Sequence, residues 1–146
     1  MARQGKDAIA LLKADHAEVK KAFKAFEKMK SKDGQQAQAL IAKVCAAITL
    51  HAAVEEEIFY PAVREAIDED DLMNEAAVEH ASAKQLIAQI GKMSASDPMR
   101  AASFTVLGEY VQHHADEEES EMFPAARKAK VDLKALGAEI AQRKKR

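Results

Sequence analysis

Apolar side chains recur at steps of three and four in long stretches of the chain, the spacing of helices that bury one face. The first stripe is Ile9, Leu12, His16, Val19, Phe23 and Phe26. It predicts a helix over 7–30, closed near Gly34 by a left-handed C-cap. The second is Ile41, Val44, Ile48, His51, Glu55, Ile58 and Ala62, predicting a helix from 35 that kinks at Pro61 and continues to about 67. Acidic residues 68–71 mark the turn into the next helix. That third helix, 71–92, carries Met73, Ala76, His80, Ala83, Ile87 and Ile90. Asp97 and Pro98 are a helix start, N-cap followed by first helical position. The fourth stripe, within 98–128, is Phe104, Leu107, Val111, His114, Glu118, Glu121 and Ala125. A short tail helix from Asp132 presents Leu133, Leu136 and Ile140.

Each long stripe contains a histidine, and two of these histidines are followed four residues later by glutamate, as His51 with Glu55 and His114 with Glu118. That spacing stacks two side chains on one helix face, about 6 Å apart along the axis. The halves repeat. Asp15-His16-Ala17 with Lys20 matches Glu79-His80-Ala81 with Lys84. His51, Glu55 and Pro61 match His114, Glu118 and Pro124. Two similar helical hairpins with short connections predict an all-α, antiparallel up-down four-helix bundle with a short C-terminal helix, in one domain over 1–146.

Composition agrees with that class: Ala, Lys and Glu are abundant, while Gly (5) and Pro (3) are scarce. A net charge of −2 supplies no global field for nucleic acid or an acidic membrane. One cysteine, Cys45, excludes an internal disulfide framework and fits a reducing compartment. No secretory leader is visible and no apolar run is expected to span a bilayer, so a soluble cytoplasmic protein is expected.

A buried His or Glu is costly alone, and a shared metal ion relieves both. His16, His51, His80, His114, Glu55 and Glu118 are too many donors for one tetrahedral zinc. They suit two ions with five or six ligands each, such as iron or manganese, bridged by the carboxylates and capped by the imidazoles. Six side chains, two of them bridging, supply about eight metal bonds, and a bridging hydroxide about two more, against ~12 for two octahedra. At least one position is therefore left for solvent or a small ligand.

These residues, in this order and with Phe-Tyr-Pro and Phe-Pro after the two pairs, resemble the hemerythrin-like HHE cation-binding family over about residues 8–144. The resemblance implies a four-helix bundle around two non-haem iron ions with an oxo or hydroxo bridge. It implies binding of dioxygen, peroxide or nitric oxide in sensing, storage or detoxification. The alternative is an enzyme that consumes peroxide, catalase-like, or nitric oxide. Lys84 stands where oxygen-carrying hemerythrins place a fifth histidine.

Other residues are read more plainly. His113 with Glu117 is a competing frame, disfavoured by the repeat, and His113 is expected on the flank. Glu56, Glu57, Glu117 and Glu119 read as a solvated face, and Glu121 as that or an additional ligand. Tyr110, one turn before His114, reads as an ordinary core tyrosine or as a hydrogen-bond or redox partner of the metal site, while Tyr60 is expected to pack with its hydroxyl at the surface. Cys45 reads as a structural thiol. The closing Arg-Lys-Lys-Arg suits the negative end of the last helix.

Overall fold

A computed structural model describes residues 6–145. Among them the chain is all-helical. The elements are α1 (Ala8–Lys28), α2 (Gln35–Val54), α3 (Tyr60–Ala66), α4 (Asp70–Lys92), α5 (Pro98–Glu117), α6 (Phe123–Lys128) and α7 (Leu133–Lys144). Two π-helical turns, Glu55–Phe59 and Glu118–Met122, join α2 to α3 and α5 to α6, so each pair forms one long rod. The four long rods form the up-down bundle, and α7 packs across α1 and the second rod.

Side chains at the helix ends explain the boundaries. Asp7, Asp97 and Asp132 accept from the backbone N–H of Ala10, Met99 and Ala135, satisfying donors that a first turn leaves free. Gly34 departs from expectation: it lies at φ −73°, ψ 166° and starts α2 rather than closing α1. The closing role falls to Lys32, whose ammonium donates to the carbonyls of Phe26, Glu27 and Met29. Arg100 likewise donates to the Ile90 and Met93 carbonyls at the end of α4.

The apolar stripes form two cores. One gathers Val19, Phe26, Ile41, Val44, Ile48, Ile90, Phe104 and Leu107. The other gathers Leu12, Phe59, Tyr60, Val63, Met73, Met122, Phe123 and Ile140 with their neighbours. In every long rod the histidine lies in sequence between the residues of the two cores, so the polar groups form a layer between them. The expectation about bilayer spans needs correction. Gln35–Ala66 is 32 residues long with a window of mean hydropathy 1.6, enough to cross a membrane by length and composition. Ile41, Val44 and Ile48, which carry much of that hydropathy, face the core.

The π turns have a local cause. Pro61 and Pro124 carry no N–H, so each removes one i→i−4 bond, and the preceding residue bonds one step further back. Tyr60 N–H thus donates to the Glu55 carbonyl, and Phe123 N–H to that of Glu118. One extra residue in the turn rotates everything after it. Phe59, Tyr60, Val63 and Ile67 face inward where Ile58 and Ala62 were expected, and Met122, Phe123 and Ala126 replace Glu121 and Ala125. Glu121 is exposed and no part of the polar layer.

Candidate metal centre

The layer is built from six inward side chains on four rods. His16 comes from α1, His51 from α2, His80 from α4 and His114 from α5; Glu55 and Glu118 open the two π turns. Glu55 and Glu118 are 0% and 1% exposed, a severe desolvation for two carboxylates. Every Nε2 points at them. His16 Nε2 is 3.0 Å from Glu118 Oε1, His51 Nε2 3.4 Å from Glu55 Oε2, His80 Nε2 3.0 Å from Glu55 Oε1 and His114 Nε2 3.4 Å from Glu118 Oε2.

Every Nδ1 points outward to a carboxylate. His16 donates to Glu119 at 2.7 Å, His51 to Asp15 at 2.8 Å, His80 to Glu56 at 2.8 Å and His114 to Glu79 at 2.6 Å. The two halves follow one rule. The acid just before the first histidine of a half holds the second histidine of that half. The acid just after the buried glutamate holds the first histidine of the other half. Glu56 and Glu119 therefore belong to the site, which corrects their reading as mere solvated surface. Such carboxylates fix the tautomer that leaves the Nε2 lone pair free and make the ring a stronger donor.

Lone pairs aimed at carboxylate oxygens repel unless a cation lies between them. Protons are one answer. Burial disfavours a charged His51, but the Glu55 carboxylate and Asp15 outweigh it and raise the imidazole to about 10. Burial likewise opposes charge on His114, yet Glu118 and Glu55 raise it to about 11. The same attraction from His51 outweighs burial at Glu55 and holds its carboxyl well below the usual range. A metal ion is the other answer. His16 Nε2, His51 Nε2, Glu55 Oε2 and Glu118 Oε1 are all buried without a hydrogen-bond partner and converge on one point. These four residues offer ligand atoms within 4.8 Å of one another, as do Glu55, His80 and His114. The donor set fits two adjacent cations sharing Glu55.

Tyr60 is the residue the sequence reading missed. It is 8% exposed, and its hydroxyl donates to Glu118 Oε2 at 2.5 Å. That oxygen also lies 3.2 Å from Glu55 Oε1, 3.1 Å from His80 Nε2 and 2.9 Å from His114 Nε2. It thus stands among the donors of the second group. Burial and the charges of Glu55 and Glu118 push the phenol well above its ordinary value. The only signal was Pro61 next to it, read as a kink rather than as a one-residue rotation. Tyr110 does not take this role: it is 49% exposed and lies at the rim of a cavity beside the histidines.

That cavity, about 50 Å³, is lined by all four imidazoles and by Val19, Ile48, Ala83, Ile87 and Val111. It is an apolar chamber with room for a diatomic molecule, reaching the site from the side opposite Phe59 and Phe123. Phe123 closes the near side, stacked on His16 with ring centroids 6.0 Å apart. His113 is exposed, 3.3 Å from Glu117 and 3.8 Å from Glu79, and forms a separate surface group with them. Cys45 is partly buried and packs with the core distant from Phe123; burial pushes its thiol up to about 11.

With this geometry in hand, comparisons with known proteins agree. Residues 7–126 match the hemerythrin HHE cation binding domain. A crystal structure of a hemerythrin HHE cation-binding domain-containing protein from Mycobacterium kansasii superposes with a TM-score of 0.79, covering 94% of this chain and 85% of that one at 23% identity. A DNA nickase from Nostoc sp. is 33% identical over 117 residues, 80% of this chain and 32% of that protein. The chain thus spans about a third of the length of that curated relative. The chain belongs to the hemerythrin HHE cation-binding family, and it is a metal-binding protein built as a helical bundle.

Proposed function

We propose that the chain holds a non-haem di-iron centre, with an oxo or hydroxo bridge, that binds dioxygen or a related small ligand such as peroxide or nitric oxide. His16, His51, His80 and His114 are the terminal ligands, Glu55 and Glu118 the bridging ones, and Tyr60 adds an oxygen on the His80 and His114 side. The observation that carries this reading is the convergence of four buried, unpaired ligand atoms on one point, each imidazole backed by its own carboxylate. Four imidazoles and two carboxylates exceed the needs of one tetrahedral zinc and suit a pair of ions with five or six ligands each, such as iron. When bound, iron supplies an open coordination position and a one-electron couple. The apolar cavity against the imidazoles suits a small uncharged ligand and keeps bulk water away. A cytoplasmic role in sensing, storage or detoxification fits this chemistry, with no call on nucleic acid or membrane. The DNA-nicking named for the Nostoc relative belongs to a protein of which this chain matches 32%.

Turnover of peroxide or nitric oxide is the second reading, and Tyr60 favours it. Its hydroxyl donates to Glu118 Oε2, so a phenol proton lies inside the site until a metal ion takes that oxygen. Metal analysis of anaerobically purified protein, followed by absorption spectra on adding oxygen and then peroxide, tests both. Two irons per chain and a stoichiometric spectral change are expected for a binding protein, and oxygen release over many turnovers for an enzyme. Less than one metal ion per chain after iron loading would overturn the di-iron reading.

A further inference from the structure

The family match ends at residue 126, so α7 lies outside it. Yet α7 is tied to the site's supports. A Cβ on Gly137 would lie 2.5 Å from the Lys6 carbonyl oxygen, so the two backbones lie in direct contact where α1 begins. Further along, Arg143 donates to both carboxylate oxygens of Glu57 in the first π turn, at 3.0 and 3.3 Å. Next to it, the Lys144 ammonium donates to Asp15 Oδ1 at 2.6 Å, while Asp15 Oδ2 accepts from His51 Nδ1 at 2.8 Å.

Two of the four imidazoles are backed in this way, since Glu56 accepts from His80 Nδ1 on one oxygen and from the Lys84 ammonium on the other, but only the ammonium on Asp15 comes from outside the repeat. In the other half Glu79 holds His114 as Asp15 holds His51, but its second oxygen faces the exposed imidazole of His113 at 3.8 Å. We propose that α7 is part of the metal centre, with Lys144 as a positioning residue that fixes Asp15 behind His51.

The physical ground is the charge on the carboxylate. A carboxylate that accepts from Nδ1 pushes electron density into the imidazole, and an ammonium on its other oxygen withdraws part of it. Lys144 also pins the rotamer of Asp15, and with it the ring of His51. Coupling is reciprocal, so a tighter site with α7 docked means a tighter α7 with the site loaded.

This inference rests on the di-iron reading above. The test uses the full chain loaded with ferrous iron, as wild type, Lys144→Met, Lys144→Arg and Arg143→Met. Lys144→Met is expected to shift the midpoint potential of the site downward, since a nearby positive charge is lost. It is also expected to speed iron loss to a chelator on the order of 3–10-fold, because an unpinned Asp15 no longer holds the His51 ring in place and this outweighs the gain in electron density at the ring. Lys144→Arg should restore both. Arg143→Met removes the neighbouring cation of the same helix without touching Asp15, and should shift the potential clearly less than Lys144→Met. Amide exchange over 133–144 should be slower in loaded than in metal-free wild type, and that difference should vanish in Lys144→Met. An unchanged potential and release rate in Lys144→Met would overturn the inference alone, as would an Arg143→Met shift of equal size. A wild-type chain that takes up no iron would overturn the di-iron reading and this inference with it.

Discussion

Tyr60 sets an oxygen within 3.2 Å of donor atoms from Glu55, Glu118, His80 and His114. Tyr60→Phe keeps the ring and removes that oxygen. The variant is expected to fold, to bind iron, and to lose the phenolate-to-ferric charge-transfer absorption, read in the visible spectrum of oxidised protein. His51→Ala and Glu118→Ala act differently, because each deletes a donor outright. Both are expected to lower iron content and melting temperature together, since metal binding adds to folding free energy. Wild-type metal content in either would contradict the ligand assignment. Metal-free protein should show a distinct pH dependence. His51 and His114, raised in the fold to about 10 and about 11, contribute stability that is complete below the unfolded value of about 6.5. That contribution fades as pH rises toward 10. Glu55, held low, contributes above about 4.5 and loses its share as pH falls below it. The melting temperature of metal-free protein should therefore be highest near pH 5–6.5 and decline steadily into the alkaline range.

The two prolines act one level up, through the register of their helices. Pro61→Ala supplies the missing N–H and allows an ordinary turn, which would rotate Phe59 and Tyr60 away from the site. The expected result is a helical protein with weakened iron binding, measured by chelator competition; unchanged affinity would show that packing alone holds the π turn. The turn between α6 and α7 offers a cleaner stability test. Lys130 sits at φ 60°, where Val131 N–H reaches the Ala126 carbonyl and Lys130 N–H that of Arg127. That geometry suits glycine, since a left-handed residue with a Cβ costs roughly 1–2 kcal/mol. Lys130→Gly should stabilise the fold by about 0.5–1 kcal/mol once glycine's greater unfolded-state freedom is subtracted. Thermal melting of metal-free protein reads this directly.

The bundle as a body consists of two apolar cores with a charged layer between them. The cohesion of the layer depends on the cations, protons or metal, that offset its buried carboxylates. Chelation should therefore lower the melting temperature while leaving the helical content of the folded protein nearly intact, because Phe104 and its neighbours hold one end independently. Phe104→Ala should cost about 3–5 kcal/mol with or without metal. A similar loss of stability in the loaded protein on Phe123→Ala should be accompanied by faster metal release, because Phe123 stacks on His16. Equal release rates in the two variants would show that the cores do not divide as described.

Helices and donors were both legible in the linear order, and for one reason. The 3.6-residue period fixes which side chains share a face, so the stripes located all four long rods within a few residues and set His51 with Glu55 and His114 with Glu118 on their apolar faces, leaving His113 with Glu117 outside. The repeat of His-x-x-x-Glu located four of the inward donors, and the repeat of the acid-His-Ala segment located His16 and His80. Contacts between distant segments carry no such period. Asp15 reaching His51, Glu79 reaching His114 and Lys144 reaching Asp15 join residues 35 or more positions apart, and only the packing of the rods brings them together. Tyr60 was concealed for a subtler reason: a single widened turn rotated it by one position, and local spacing assumes that no turn is widened. Which side chains can bind metal is thus written in residue type and period, while which oxygens surround them, and how the last helix reaches them, depends on tertiary packing.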